Sequence, residues 1–105
     1  MSIADLVIPG EPAADIGSDH ALLACYLVDE GRCPRAICGE LGDGPYRRTF
    51  EAVRKHGLGH LIEVRQGNGL EVLACGEVAT VVLAGMGGNT IVDILNASPV
   101  KTKSF

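Results

Sequence analysis

The sequence predicts an α/β fold, a parallel sheet of about four strands with helices on both faces. Three observations lead there. Short apolar runs alternate with amphipathic stretches, and Gly or Pro clusters punctuate them. The connections between apolar runs are of crossover length. Val81-Val82-Leu83 is continuous and apolar, the pattern of a parallel strand covered on both sides.

Ser2–Ile8 reads as a short lead-in helix ended by Pro9-Gly10, and Ala13–Ile16 as the first strand. His20–Glu30 is a helix, because Ala21, Ala24, Cys25 and Val28 recur at i, i+3, i+4 and i+7. Ser18 or Asp19 suits its N-terminal cap, and Gly31 ends it. Arg35–Glu40 follows as a second strand and Pro45–His56 as a second helix, with Pro45 near its first turn. In that helix Tyr46, Phe50, Val53 and Gly57 share an apolar face. Arg47, Arg48, Glu51, Arg54 and Lys55 lie mainly on the others, as a solvated face rather than an RNA contact. Leu61–Gln66 is a third strand, Leu70–Leu73 a helical turn, and Thr80–Ala84 a fourth strand. Asn89–Leu95 starts another helix, and Asn96–Phe105 is polar, aperiodic and read as a loose tail.

A chain of 105 residues, 47% hydrophobic and 21% charged, forms one globular domain at most. No run approaches ~18 apolar residues and the N-terminus lacks a signal-peptide pattern, so the cytoplasm is the expected home. Nine basic against thirteen acidic residues give a formal charge of −4. That balance opposes a stand-alone nucleic-acid grip, though a nucleic-acid-modifying enzyme can carry its basic surface elsewhere. Cys25, Cys33, Cys38 and Cys75 have no zinc spacing and read as reduced, mostly buried thiols, with Cys33 in the Gly31–Pro34 turn the most exposed. No metal site is expected.

The chemistry lies in the strand ends. Each predicted strand finishes in Gly beside a small or polar residue: Gly17-Ser18-Asp19-His20, Gly39-Glu40, Gly67-Asn68-Gly69 and Ala84-Gly85-Met86-Gly87-Gly88. In a parallel sheet these carboxyl ends share one edge, where open α/β sheets bind ligands. The first loop resembles a nucleotide-binding turn but lacks the second and third glycines of G-x-G-x-x-G. Asp19 at the helix start would repel a phosphate. A phosphate-free ligand with a cationic centre fits better, and S-adenosyl-L-methionine is one. Glu40 falls about 23 residues after Gly17, near the ~20-residue offset at which an acid meets ribose hydroxyls. Asn68 can both donate to and accept from an adenine edge, and Gly85 leaves room for close approach.

Ala14-Asp15-Ile16-Gly17-Ser18-Asp19-His20-Ala21, then Gly44-Pro45-Tyr46, Gly67-Asn68-Gly69-Leu70 and Ala84-Gly85-Met86-Gly87-Gly88 together resemble the bacterial tRNA (adenine(22)-N1)-methyltransferases. The resemblance spans residues 2 to about 95 in order. It implies a Rossmann-like class I methyltransferase fold with S-adenosyl-L-methionine as cofactor and tRNA as partner. By analogy, Asp15, Gly17 and Asp19 cradle the methionine part, with Ser18 and His20 in the same loop. Glu40 holds the ribose, Gly44 and Pro45 border the site, Asn68 and Gly69 sit by the adenine, and Ala84, Gly85 and Met86 close the floor. No catalytic residue is named.

Two departures stand out. The family is expected to carry aspartate where this chain has Asn68. Its members continue through further strands and a helical C-terminal part, whereas the likeness here stops after Leu95. Residues 1–95 are thus expected to form a partial S-adenosyl-L-methionine-binding domain and 96–105 a tail. Without a fifth strand, Thr80–Ala84 would leave an apolar edge open to self-association. The competing readings are a non-catalytic remnant that keeps the donor half-site, and a small dinucleotide-binding domain.

Overall fold

The computed structural model describes residues 3–17, 21–74, 76–84 and 90–94. The elements are β1 (Ala13–Ile16), α1 (Leu22–Asp29), β2 (Ala36–Glu40), α2 (Asp43–Lys55), β3 (Ile62–Gln66), β4 (Thr80–Ala84) and β5 (Thr90–Ile94), with 3-10 turns at Ile3–Leu6 and Gly69–Val72. The strand order is β3-β2-β1-β4-β5. The first four strands are mutually parallel, and β5 runs antiparallel to β4.

This order dictates the layers. The chain steps outward from β1 to β2 to β3, so right-handed crossovers lay α1 and α2 on one face. Ala24, Cys25 and Val28 of α1 and Val53 of α2 accordingly share a core with Ala36, Cys38 and Ile62. The return to β4 crosses the opposite face. There Ala14, Ile16, Ile37 and Val81 pack against Leu70, Val72, Leu73 and Val78. Among the described residues, that second face is covered by a 3-10 turn and extended chain, thinner than the helix layer expected on each side.

Both helices end on a left-handed glycine. Gly31 and Gly57 have φ of 72° and 70°. After α1, the N–H of Gly31 donates to the Val28 carbonyl and that of Arg32 to Leu27. After α2, Gly57 donates to Arg54 and Leu58 to Val53. These are paired C-terminal closures that a residue with a Cβ would strain. The start of α1 differs from expectation. Its N-cap is Ala21, at φ 56°, with no side-chain cap hydrogen bond; Ser18 and Asp19, the expected caps, lie outside the described residues.

Three further expectations are corrected. Residues 90–94 form a strand rather than a helix. Four of these five residues, Thr90, Ile91, Val92 and Ile94, are β-branched, which favours a pleated strand. The ladder on β4 runs from Thr80 opposite Ile94 to Ala84 opposite Thr90. The sheet therefore has five strands, and Thr80–Ala84, expected to be an open edge available for self-association, is flanked by β1 and β5 on either side. Cys33 is buried at 2% exposure, because its N–H folds back onto the Leu27 carbonyl and its side chain joins Val7, Ala13 and Leu27. No helix among the described residues is long and apolar enough to cross a membrane.

Candidate functional site

The strand ends meet at one level. Ile16 lies opposite Gly39 on one side and Leu83 on the other, and Glu40 lies opposite Gln66. Just beyond, the Gly17 N–H donates to the Gly39 carbonyl at 2.8 Å and the Gly67 N–H to the Glu40 carbonyl at 2.9 Å. Strand order reverses between β1 and β4, and the carboxyl ends at such a switch point are where open α/β sheets bind ligands.

Asp15 and Glu40 are both 3% exposed, and buried acids require built surroundings. Asp15 lies opposite Cys38 in the sheet. Burial, reinforced by the Asp15 charge, pushes the thiols of Cys38 and Cys25 up, Cys38 far up. Both stay protonated and act as packing, not nucleophiles. Glu40 ends β2, where its Oε2 accepts a 2.7 Å hydrogen bond from the Thr49 hydroxyl of α2. Thr49 is fully buried, so the carboxylate is oriented from beneath.

The rest of the rim is built around these acids. α2 begins at Asp43, placing Gly44 and Pro45 in a first turn that directly follows the end of β2. Gln66 ties β3 to that turn, its Nε2 donating to Asp43 Oδ1 at 2.6 Å and to the Leu41 carbonyl at 3.3 Å. Asn68 is exposed and opens the 3-10 turn, its carbonyl accepting from Glu71 N–H at 3.1 Å. Gly69 follows at φ 57°. Val72 presses this turn onto the sheet edge. A Cβ at Gly67 would stand 2.6 Å from Val72 Cγ1, and one at Gly39 would stand 2.7 Å from Ile16 Cδ1 and 3.0 Å from Val72 Cγ2. The glycines thus allow a close approach that no larger residue permits.

The structure brings Asp15, Gly17, Glu40, Gly44, Pro45, Asn68, Gly69 and Ala84 to one edge of the sheet. Ser18, Asp19, His20, Gly85 and Met86 lie outside the described residues.

Two residues that support the site were missed. Thr49 is one; its signal was a place four residues before Val53, on the buried stripe of α2. Arg65 is the other. It donates to the Val72 carbonyl at 2.6 Å and pairs with Glu77 at 2.6 Å and Glu63 at 2.8 Å. It clamps the turn that carries Asn68 against β3. The Arg65 guanidinium holds the Glu77 carboxyl down to about 2, and the two acids hold Arg65 well up.

Comparison with known proteins agrees with this architecture. The profile of the family described as "Methyltransferase domain" matches residues 1–105. The chain is 46% identical over 101 residues to the tRNA (adenine(22)-N(1))-methyltransferase of Bacillus subtilis, covering 96% of this chain and 42% of that protein. The crystal structure of the B. subtilis m1A22 tRNA methyltransferase TrmK matches with a TM-score of 0.76 at 46% identity, over 80% of this chain and 36% of that one. A Streptococcus pneumoniae candidate tRNA (m1A22) methyltransferase, solved in complex with S-adenosyl-L-methionine, matches with a TM-score of 0.75 at 41% identity. That match covers 80% of this chain and 40% of the other. The chain spans less than half the length of these relatives. A family profile matched from end to end, on a sheet whose strand ends converge as described, establishes that the chain belongs to the methyltransferase-domain family.

Proposed function

We propose that this chain is the donor-binding part of an S-adenosyl-L-methionine-dependent methyltransferase that acts on N1 of an adenine in tRNA, in the cytoplasm. The observation that carries the reading is Glu40: a buried acid at the end of β2, oriented by Thr49 and level with Gly17 at the carboxyl ends of the strands. A carboxylate so held can accept from the neighbouring hydroxyls of a ribose. Asp15, Gly17, Ser18, Asp19 and His20 are assigned to the methionine end. Gly44 and Pro45 are assigned to the rim, Asn68 and Gly69 to the adenine, and Ala84, Gly85 and Met86 to the floor.

When bound, S-adenosyl-L-methionine supplies a sulfonium-activated methyl group. The chain's own work is therefore alignment and charge placement rather than proton transfer. The absent second and third glycines of the first loop, and the acid at Asp19, oppose the dinucleotide reading.

The test is calorimetry with S-adenosylhomocysteine, with NAD as control. The chain should bind the first and not the second. Glu40→Gln should weaken binding about 10–100-fold, the loss expected when a charged acceptor becomes neutral. Unchanged affinity would remove Glu40 from the site. Methyl incorporation into tRNA tests the substrate, and donor binding without incorporation would reduce the reading to a non-catalytic module that keeps the donor half-site.

A further inference from the structure

We infer that the outer flank of α2 is a platform on which an unpaired stretch of RNA stacks, beside the donor site; this rests on the tRNA reading above. The sequence places Tyr46 and Phe50 on an apolar face, yet in the structure Thr49 and Val53 are the buried residues of α2 and Phe50 is 48% exposed. The Tyr46 and Phe50 rings stand one helical turn apart, with centroids separated by 6.3 Å and planes inclined at 34°. With Arg47 and Glu51 they line a shallow, mainly apolar recess of about 310 Å³.

The charge around this recess selects its occupant. α2 carries Arg47, Arg48, Arg54 and Lys55 against Asp43 and Glu51. It is thus a basic element in a chain whose formal charge is −4. Arg54 is partly matched by Glu51 at 2.7 Å, so Arg47 is the cation assigned to phosphate contact. Aromatic rings flanked by guanidinium groups suit splayed bases, because every base offers a π-face and every linkage a phosphate. A duplex keeps its bases stacked and offers only the phosphates. The flank also starts three residues after Glu40, so RNA lying on it runs toward the edge where an acceptor base must arrive.

Fluorescence anisotropy on the full chain tests the platform, using a short unstructured RNA and a duplex RNA of equal length. The single strand should bind more tightly. Phe50→Ala should weaken it about tenfold, a typical loss for one stacked base, while Phe50→Trp should retain it. Arg47→Gln should lower the salt dependence by about one phosphate contact. Binding of S-adenosylhomocysteine should be unchanged in all three variants, which also reports that they are folded. Unchanged RNA affinity in Phe50→Ala, or no RNA binding by the unsubstituted chain, overturns the platform and leaves the donor reading standing. Dimerisation abolished by Phe50→Ala, with RNA affinity unaltered, assigns the flank to a second copy and also overturns it. Failure of the unsubstituted chain to bind S-adenosylhomocysteine sinks the donor reading instead.

Discussion

At the scale of single residues, the site depends on a hydroxyl that makes no claim on a ligand. Thr49 donates to Glu40 from within the core. Thr49→Val keeps the shape and removes the donor, so a buried carboxylate loses a hydrogen bond it was folded around. Urea unfolding should register a loss of about 1–3 kcal/mol, and S-adenosylhomocysteine affinity should fall with it. An unaltered midpoint would mean that Thr49 only fills space. Glu40 was legible in the sequence because its offset from Gly17 follows from the length of one strand–helix–strand unit. Thr49 was not, because a threonine among arginines gives no sign of the acid it will meet until β2 and α2 are packed together. The Arg65–Glu77 pair also has a measurable consequence. Glu77 is depressed from its ordinary value of 4.5 to about 2, so its stabilisation is complete above that ordinary value and is lost as pH falls toward about 2. Acid titration of stability should be shallower over that interval in Glu77→Gln, and an identical profile would show that the pair contributes nothing.

Among elements, β5 is the one whose type is not written in its local sequence. Four strands and two helices were legible because apolar runs bounded by Gly and Pro are local signals, and their observed limits differ from expectation by at most two residues. Residues 90–94 continue that alternation, so the sequence predicts the next helix there. Their structure is decided by a distant fact, that β4 lies between β1 and an otherwise uncovered side. Ladder hydrogen bonds along β4, together with β-branched side chains, outweigh the helical reading. Ile91→Pro and Val92→Pro, made in turn, should break this ladder at one of the two positions, since neighbouring residues of an antiparallel strand alternate between donating to the partner and facing away. The expected result is a loss of about 1–3 kcal/mol and earlier elution on size exclusion as β4 is uncovered. A stable monomer at high concentration would mean that β5 is dispensable.

For the whole molecule, the sheet order decides what the sequence alone could not: which side of the chain carries helices and where the strand order reverses. β1 reaches β2 through a single helix. It reaches β4, with Ala13 opposite Thr80, only after α1, β2, α2 and β3 have been laid down. Pairings across so long a stretch of chain form late, because loop closure must precede any gain from contact. On the donor-binding reading proposed above, a donor that needs both β1 and β4 would meet only finished molecules. In stopped-flow experiments S-adenosylhomocysteine should slow unfolding while leaving the refolding rate nearly unchanged; faster refolding would show the β1–β4 pairing already formed at the barrier. If the proposed donor site holds, the abundance of the donor would govern how long each copy survives once made.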